Sequence, residues 1–186
     1  MAADNRIHVM DEGDVHRAVS RMAREIVEGN GGTEGLTLLG IHRRGTQISA
    51  LIREEIERAE GVTIESGSID ITLYRDDLMV IGPRPVIGET ELPPSGIDDR
   101  NVVLVDDVIY RGRTIRAALN EVMDWGRPSR IHLVVLVDRG GRELPIQPDI
   151  VGRQVQVHDD QLVEVHVPDL DGSLGVEIIP ISTEPA

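Results

Sequence analysis

The carboxylates Asp106 and Asp107 stand side by side at the end of an apolar run, in VVLVDDVIYRGRT. Two adjacent carboxylates repel each other, and they rest easily only where water, a metal ion or sugar hydroxyls share their charge. A turn-like stretch follows, Val108, Ile109, Tyr110, Arg111, Gly112, Arg113 and Thr114, and leads into helical periodicity. Backbone N–H groups at a helix start attract anions, and a glycine lets a phosphate come close. An acidic place for ribose hydroxyls or a metal, next to an anion cradle, describes a site for a phosphorylated sugar. A second anion loop is offered by HRRG, where Arg43, Arg44 and Gly45 lie between an apolar run and a helical one. Arginine beside glycine supplies charge and backbone amides together. A third stretch, Val137, Asp138, Arg139 and Gly140, ends another apolar run, and by itself reads equally well as a connector with an ion pair.

Positioning these residues requires strands that end near one another. LTLLGI (Leu36–Ile41), NVVLVDD and RIHLVVLV are short apolar runs of the kind that form buried parallel strands. Between them, TQISALIREEIERAEG and residues 114–125 show helical spacing, stopped at Gly61 and at GRP. Upstream, Val15, Ala18, Val19, Met22 and Ile26 fall on one helical face behind Asp11 as N-cap. SIDITLY alternates Ile69, Ile71 and Leu73 with polar residues, as a strand covered on one face does. Strands alternating with helices predict an α/β fold, a doubly wound and mostly parallel sheet that binds ligands at the carboxyl ends of its strands. Residues 75–100 hold four prolines and little periodicity, which marks a functional loop. Beyond Asp138, DIVGRQVQV, LVEVHV and GVEIIPI suggest additional short antiparallel strands.

Composition narrows the chemistry. A chain of 186 residues buries a core without staples, and one domain spanning 1–186 is expected. The absence of cysteine excludes disulfides, zinc–thiolate sites and thiol nucleophiles. No leader-like segment is visible, and no apolar run approaches the roughly 20 residues that cross a bilayer, so a cytoplasmic protein without a membrane partner is expected. The net charge of −14 repels nucleic acid at long range and leaves only a local basic face for such a partner. All 19 basic residues are arginine, a compositional bias that also favours bidentate phosphate contacts. Aromatic residues make up 2%, too few for a base-stacking platform. No G-x-x-x-x-G-K-[ST] string occurs, which removes the P-loop reading, and a phospho-receiver site lacks its lysine. The six histidines are scattered, and no Ser–His–Asp or metal–histidine spacing competes.

Three motifs in order, IDITLYRDDL, LVDDVIYRGRT and LVDRGGRELPI, resemble the PyrR family of bifunctional pyrimidine-operon attenuators and uracil phosphoribosyltransferases, within the type I phosphoribosyltransferases. The resemblance implies the type I phosphoribosyltransferase fold with a small hood at about 138–160 and a flexible loop at about 75–100. It implies conversion of uracil and phosphoribosyl pyrophosphate (PRPP) to UMP and pyrophosphate, with magnesium carried through the substrate near Asp106 and Asp107. By the same likeness Asp106, Asp107 and Arg44 are the catalytic residues. Residues Val108 to Thr114 wrap the 5′-phosphate, and Arg43, Arg44 and Gly45 hold pyrophosphate. Tyr74, Arg75, Asp76 and Asp77 open the flexible loop, and Val137, Asp138, Arg139 and Gly140 surround uracil.

The family's second role is binding of pyrimidine-operon leader mRNA in response to the uridine nucleotides UMP and UTP, by homodimers or higher homo-oligomers. The resemblance places RNA contacts on the first helix and the hood, here Ser20, Arg21, Arg24, Arg142 and Arg153. Helical spacing sets Arg17, Arg21 and Arg24 along one polar stripe. The chain departs from the usual pattern at Arg24 and Gly141, where histidine is usual, and at Gln147, where arginine is usual. Arg43 and Arg111 replace threonine and add charge at phosphate loops, which favours anion binding. A uracil phosphoribosyltransferase without RNA binding, or a related purine or pyrimidine enzyme, is the alternative reading.

Overall fold

The computed structural model describes residues 6–72 and 89–181. In chain order it runs β1 (Ile7–Met10), α1 (Glu12–Asn30), β2 (Leu36–Ile41), α2 (Arg44–Glu60), β3 (Glu65–Ile69), β4 (Asn101–Ile109), α3 (Arg113–Trp125), β5 (Arg130–Asp138), β6 (Ile150–Gln154), β7 (Gln161–His166), α4 (Pro168–Asp171) and β8 (Gly175–Pro180). Five strands form a sheet in the order β3-β2-β4-β5-β6, and every pairing in it is parallel. β1, β8 and β7 form a separate antiparallel sheet.

Successive residues of a strand face opposite sides, so the central strands fill two cores at once. Val103 and Val105 of β4 pack with Met22, Ile48 and Ile52 under α1 and α2. Val102 and Leu104 pack with Ile115, Ala118 and Val122 under α3. This covering of both faces explains why β2, β4 and β5 read as unbroken apolar runs. The mostly parallel α/β sheet expected above is the one observed. Among the described residues, no helix is long and apolar enough to cross a membrane.

Four details differ from expectation. β4 does not stop at the acid pair: it continues to Ile109, because Val108 and Ile109 stay in register with Val137 and Asp138 of β5. β3 lies earlier than SIDITLY, since its parallel pairing with β2 ends at Ile41 opposite Ile69. DIVGRQVQV supplies β6, a parallel edge strand of the main sheet, and of the three segments beyond Asp138 only LVEVHV and GVEIIPI form antiparallel strands. Residues 89–100, expected within the flexible loop, pack down: Ile97 is buried and Glu91 exchanges two backbone hydrogen bonds with Ser68. Leu73, Tyr74, Arg75, Asp76 and Asp77 lie outside the described residues.

Candidate active site

A cleft of about 620 Å³ opens at the carboxyl ends of β2 and β4, lined by His42, Arg43, Arg44, Asp70, Ile71, Thr72, Asp106, Asp107, Val108 and Thr114. The fold thus brings the acid pair, the HRRG loop and the start of α3 to one place, where a doubly wound sheet binds ligands. Gly45 makes the approach possible. A Cβ there would lie 2.7 Å from the Val105 carbonyl oxygen, so α2 starts directly against the strand that bears the acids. The peptide between His42 and Arg43 is cis.

Asp106 is buried, and burial followed by the Asp107 charge holds its carboxyl well above the ordinary carboxylate range. Burial also raises Asp107, offset by its bond to Asp106, by the Val108 N–H and by the Arg44 charge. The Asp107 N–H donates to Asp106 Oδ1 at 3.0 Å, and the Val108 N–H donates to Asp107 Oδ1 at 2.9 Å. The two titrate as a unit, with a proton favoured between them until a cation or hydroxyls arrive.

Helix starts supply the anion cradle. α1 begins away from the cleft, and there Asp11 and Asp14 form a full capping box. α2 and α3 begin at the cleft, behind Arg43 and Gly112, and neither has a side-chain cap. A helix start without such a cap is where phosphate oxygens are commonly bound. Gly112 takes φ 90°, which a side chain would disfavour. Arg111 and Arg113 both pair with Glu143, at 3.1 and 2.7 Å, and the Arg111 carbonyl accepts from the Glu143 and Leu144 N–H groups. The 139–149 segment is thereby pinned to the turn.

Beside the turn, Val137 and Asp138 end β5, one strand over from the acid pair, and Arg139 lies 3.9 Å above the Tyr110 ring. Tyr110 leaves no room for a larger neighbour: a Cβ on Gly141 would sit 2.4 Å from its ring. Arg142, expected on the RNA face, is instead spent inside this segment. It donates to Asp138 Oδ2 at 2.7 Å, to the Tyr110 carbonyl at 2.9 Å and to the Ile146 carbonyl at 3.0 Å. Its side chain is 11% exposed. Arg142→Ala is expected to cost about 3 kcal/mol in urea unfolding, because it strands a sheltered carboxylate.

The other RNA candidates lie on α1 and β6. Arg21 donates to the Val151 and Gly152 carbonyls at 3.0 and 2.7 Å, fastening α1 to edge strand β6, and pairs with Glu25. Arg24 and Arg153 are exposed on these two elements, and Ser20 is half-buried between α1 and α2. Several residues on the cleft or behind it were not foreseen. Asp70 and Thr72 line it, and Asp70 Oδ1 accepts from the Thr72 N–H and hydroxyl at 2.9 and 2.6 Å. The Asp70 N–H donates to the Thr90 hydroxyl, which donates to buried Glu121. Asp171, from the small sheet, reaches Arg44. A turn such as PDLDG carries no local signal for such a contact.

Magnesium asks a protein for one or two carboxylates and keeps water and substrate oxygens as its remaining ligands. Asp106 and Asp107 provide that pair, while no cluster of three or more His, Asp or Glu poised as a cage occurs among the described residues. The donor set fits a magnesium ion that arrives with a phosphorylated substrate.

The family model for the phosphoribosyl transferase domain matches residues 10–171. The bifunctional protein PyrR of Herpetosiphon aurantiacus is 50% identical over 165 residues, covering 89% of this chain and 92% of the relative. The bifunctional protein PyrR of Thermus aquaticus is 49% identical over 173 residues, covering 93% and 95%. The chain belongs to the PyrR family of phosphoribosyltransferases. A PyrR protein from Clostridioides difficile is also similar, at 47% identity over 173 residues, covering 93% of this chain and 97% of the relative. Solved hypoxanthine phosphoribosyltransferases share the fold: that of Trypanosoma cruzi gives a TM-score of 0.72 at 17% identity over 95% of each chain. That of Staphylococcus aureus gives 0.67 at 16%, covering 95% and 93%. The chain thus carries the type I phosphoribosyltransferase architecture.

Proposed function

We propose that the protein is a uracil phosphoribosyltransferase that also binds pyrimidine-operon leader mRNA in response to uridine nucleotides, as the bifunctional naming of its relatives implies. The observation that carries the enzymatic half is the convergence of a buried acid pair with two uncapped helix starts on one cleft. Asp106 and Asp107 would take the ribose hydroxyls of PRPP, the Gly112–Thr114 end of the turn its 5′-phosphate, and Arg43 and Arg44 its pyrophosphate. Uracil would sit toward Val137, Asp138, Arg139 and Gly140. Magnesium bound with PRPP supplies neutralisation of the leaving pyrophosphate. As the bond from the anomeric carbon to the pyrophosphate oxygen breaks, that carbon gains oxocarbenium character and bonds uracil N1, whose proton leaves to pyrophosphate or water, and no side-chain nucleophile is needed. Positioning and charge complementarity then supply most of the rate. The direct test is release of pyrophosphate and UMP from uracil and PRPP with magnesium, with hypoxanthine as the competing base.

For the regulatory half, support comes from Arg17, Arg21 and Arg24 on α1 and Arg153 on the neighbouring β6, though Arg17 and Arg21 already pair with Asp14 and Glu25 and Arg24 lies near Glu55 of α2. Affinity for RNA then rests on few phosphate contacts. The double variant Arg24→Glu/Arg153→Glu is expected to weaken leader-RNA binding at least about tenfold and to flatten its salt slope by about two contacts. A filter-binding titration across salt, with and without UMP, checks this, and UMP synthesis by the same preparation controls for folding. Unaltered RNA affinity would place the RNA elsewhere.

A further inference from the structure

Arg44, on the pyrophosphate side of the cleft, is held by a residue of the other sheet. Asp171 ends α4 on the connection from β7 to β8 and accepts from Arg44 through both oxygens, Oδ1 from Nη2 at 2.8 Å and Oδ2 from Nε at 3.3 Å. Asp171 is itself fixed. The Val167 N–H donates to its Oδ2 at 2.9 Å, the Asp171 N–H donates to the Val167 carbonyl at 2.8 Å, and Gly172 closes the turn in the left-handed conformation. The pair is partly sheltered, with side-chain exposures of 31% for Arg44 and 18% for Asp171. Its hydrogen bonds are the leading cause that raises the Arg44 pKa and lowers that of Asp171, so both groups are ionised.

A second carboxylate competes for the same guanidinium. Asp107 acts on Arg44 through space, yet no hydrogen bond joins them. Without Asp171, a long arginine would be left to the other carboxylates that act on it, Asp107 ahead of Glu164, and collapse onto the acid pair would neutralise the groups that must meet ribose and pyrophosphate. Two-point retention on the Nε–Nη2 edge removes that option and leaves the Nη1 edge for a ligand. We propose that Asp171 is a positioning residue: it keeps Arg44 off the acid pair and presents it to the pyrophosphate group of PRPP. This rests on the phosphoribosyltransferase reading and adds the small sheet to the machinery that recognises the leaving group.

The test is Asp171→Asn, which keeps an acceptor for the Val167 N–H but loses the charge. PRPP and inorganic pyrophosphate should each bind about tenfold more weakly, the size of a lost charge-assisted fork, while KM for uracil and for UMP stays within twofold. Arg44→Gln should show the same selective loss, the double variant should lose no more than either single one, and Asp171→Glu should recover part of it. An equal loss toward all four ligands, or an unchanged or improved PRPP affinity, overturns the proposal. Equilibrium titration of PRPP needs no turnover and separates the two readings. A wild type that binds PRPP without using uracil removes the proposed activity. The Asp171→Asn difference in that same titration still decides the inference: a tenfold loss supports it and no change refutes it.

Discussion

Asp106→Asn is expected to raise the thermal midpoint at neutral pH and to lower kcat/KM for PRPP by about a hundredfold or more, the usual cost of losing a group that meets the transition state. The two effects have one origin. Folding buries Asp106 beside Asp107, and both influences raise its pKa. The native state therefore holds a proton that the unfolded chain releases in the ordinary aspartate range. Through the window between the unfolded and the raised native pKa, the native form binds more protons, so stability is highest below that window and falls as pH rises through it. Asparagine does not ionise, and its oxygen can still accept from the Asp107 N–H, so the variant escapes the loss. Calorimetry from acid to neutral pH should show the two melting curves converging at low pH and separating above it, with the variant higher. Asp107→Asn should lose a similar factor in activity. For the wild type, kcat/KM for PRPP should show its acid limb above the ordinary carboxylate range, because the pair must surrender its proton to engage the ligand. In Asp106→Asn that limb should move down, since the carboxyl raised furthest is gone and only Asp107, raised mainly by burial, is left to titrate. Full turnover by Asp107→Asn would contradict the site.

What was legible beforehand follows from where each signal resides. β2, β4 and β5 are buried on both faces, so their sequences are continuous apolar runs and could be read directly. β3 and β6 are edges with part-exposed residues such as Ser66 and Gln154, and their limits depend on the register of a neighbour. β1 pairs with β8, so its partner comes from the far end of the chain and no local pattern can announce it. The acid pair and the two arginine–glycine turns proposed as anion loops could be picked out because charge and glycine interrupt apolar runs at strand ends. Arg142 was placed on the RNA face by the family likeness of the hood; only the fold shows that its guanidinium also bonds Asp138 and three carbonyls. Glu121 lies on the buried face of α3, where a sequence pattern expects an apolar residue, and its bond from Thr90 is invisible without the packing of residues 89–92.

Gly45→Ala is expected to lower both stability and PRPP turnover. In a helix interior alanine is ordinarily the better residue, by about 1 kcal/mol. Here the added carbon would stand 2.7 Å from the Val105 carbonyl oxygen, 3.1 Å from Asp106 Cα and 3.2 Å from Asp106 Oδ1. None of these atoms yields cheaply: β4 is the middle strand, bonded to β2 on one side and β5 on the other. The first turn of α2 must move instead, and it carries Arg44 and the N–H groups that would meet pyrophosphate. Overpacking of this kind costs about 1–3 kcal/mol, and a displacement near 1 Å at a reacting centre costs about a hundredfold in rate. The control is Gly29→Ala in α1, where a Cβ meets nothing within 4 Å. That variant should match or exceed wild-type stability in urea and keep its activity. Should Gly45→Ala behave like Gly29→Ala in both measurements, the close approach of α2 to the acid pair would not be a requirement of the site. If it melts lower and loses PRPP turnover while Gly29→Ala does neither, the missing side chain at Gly45 is what lets the pyrophosphate loop and the acid pair share one ligand.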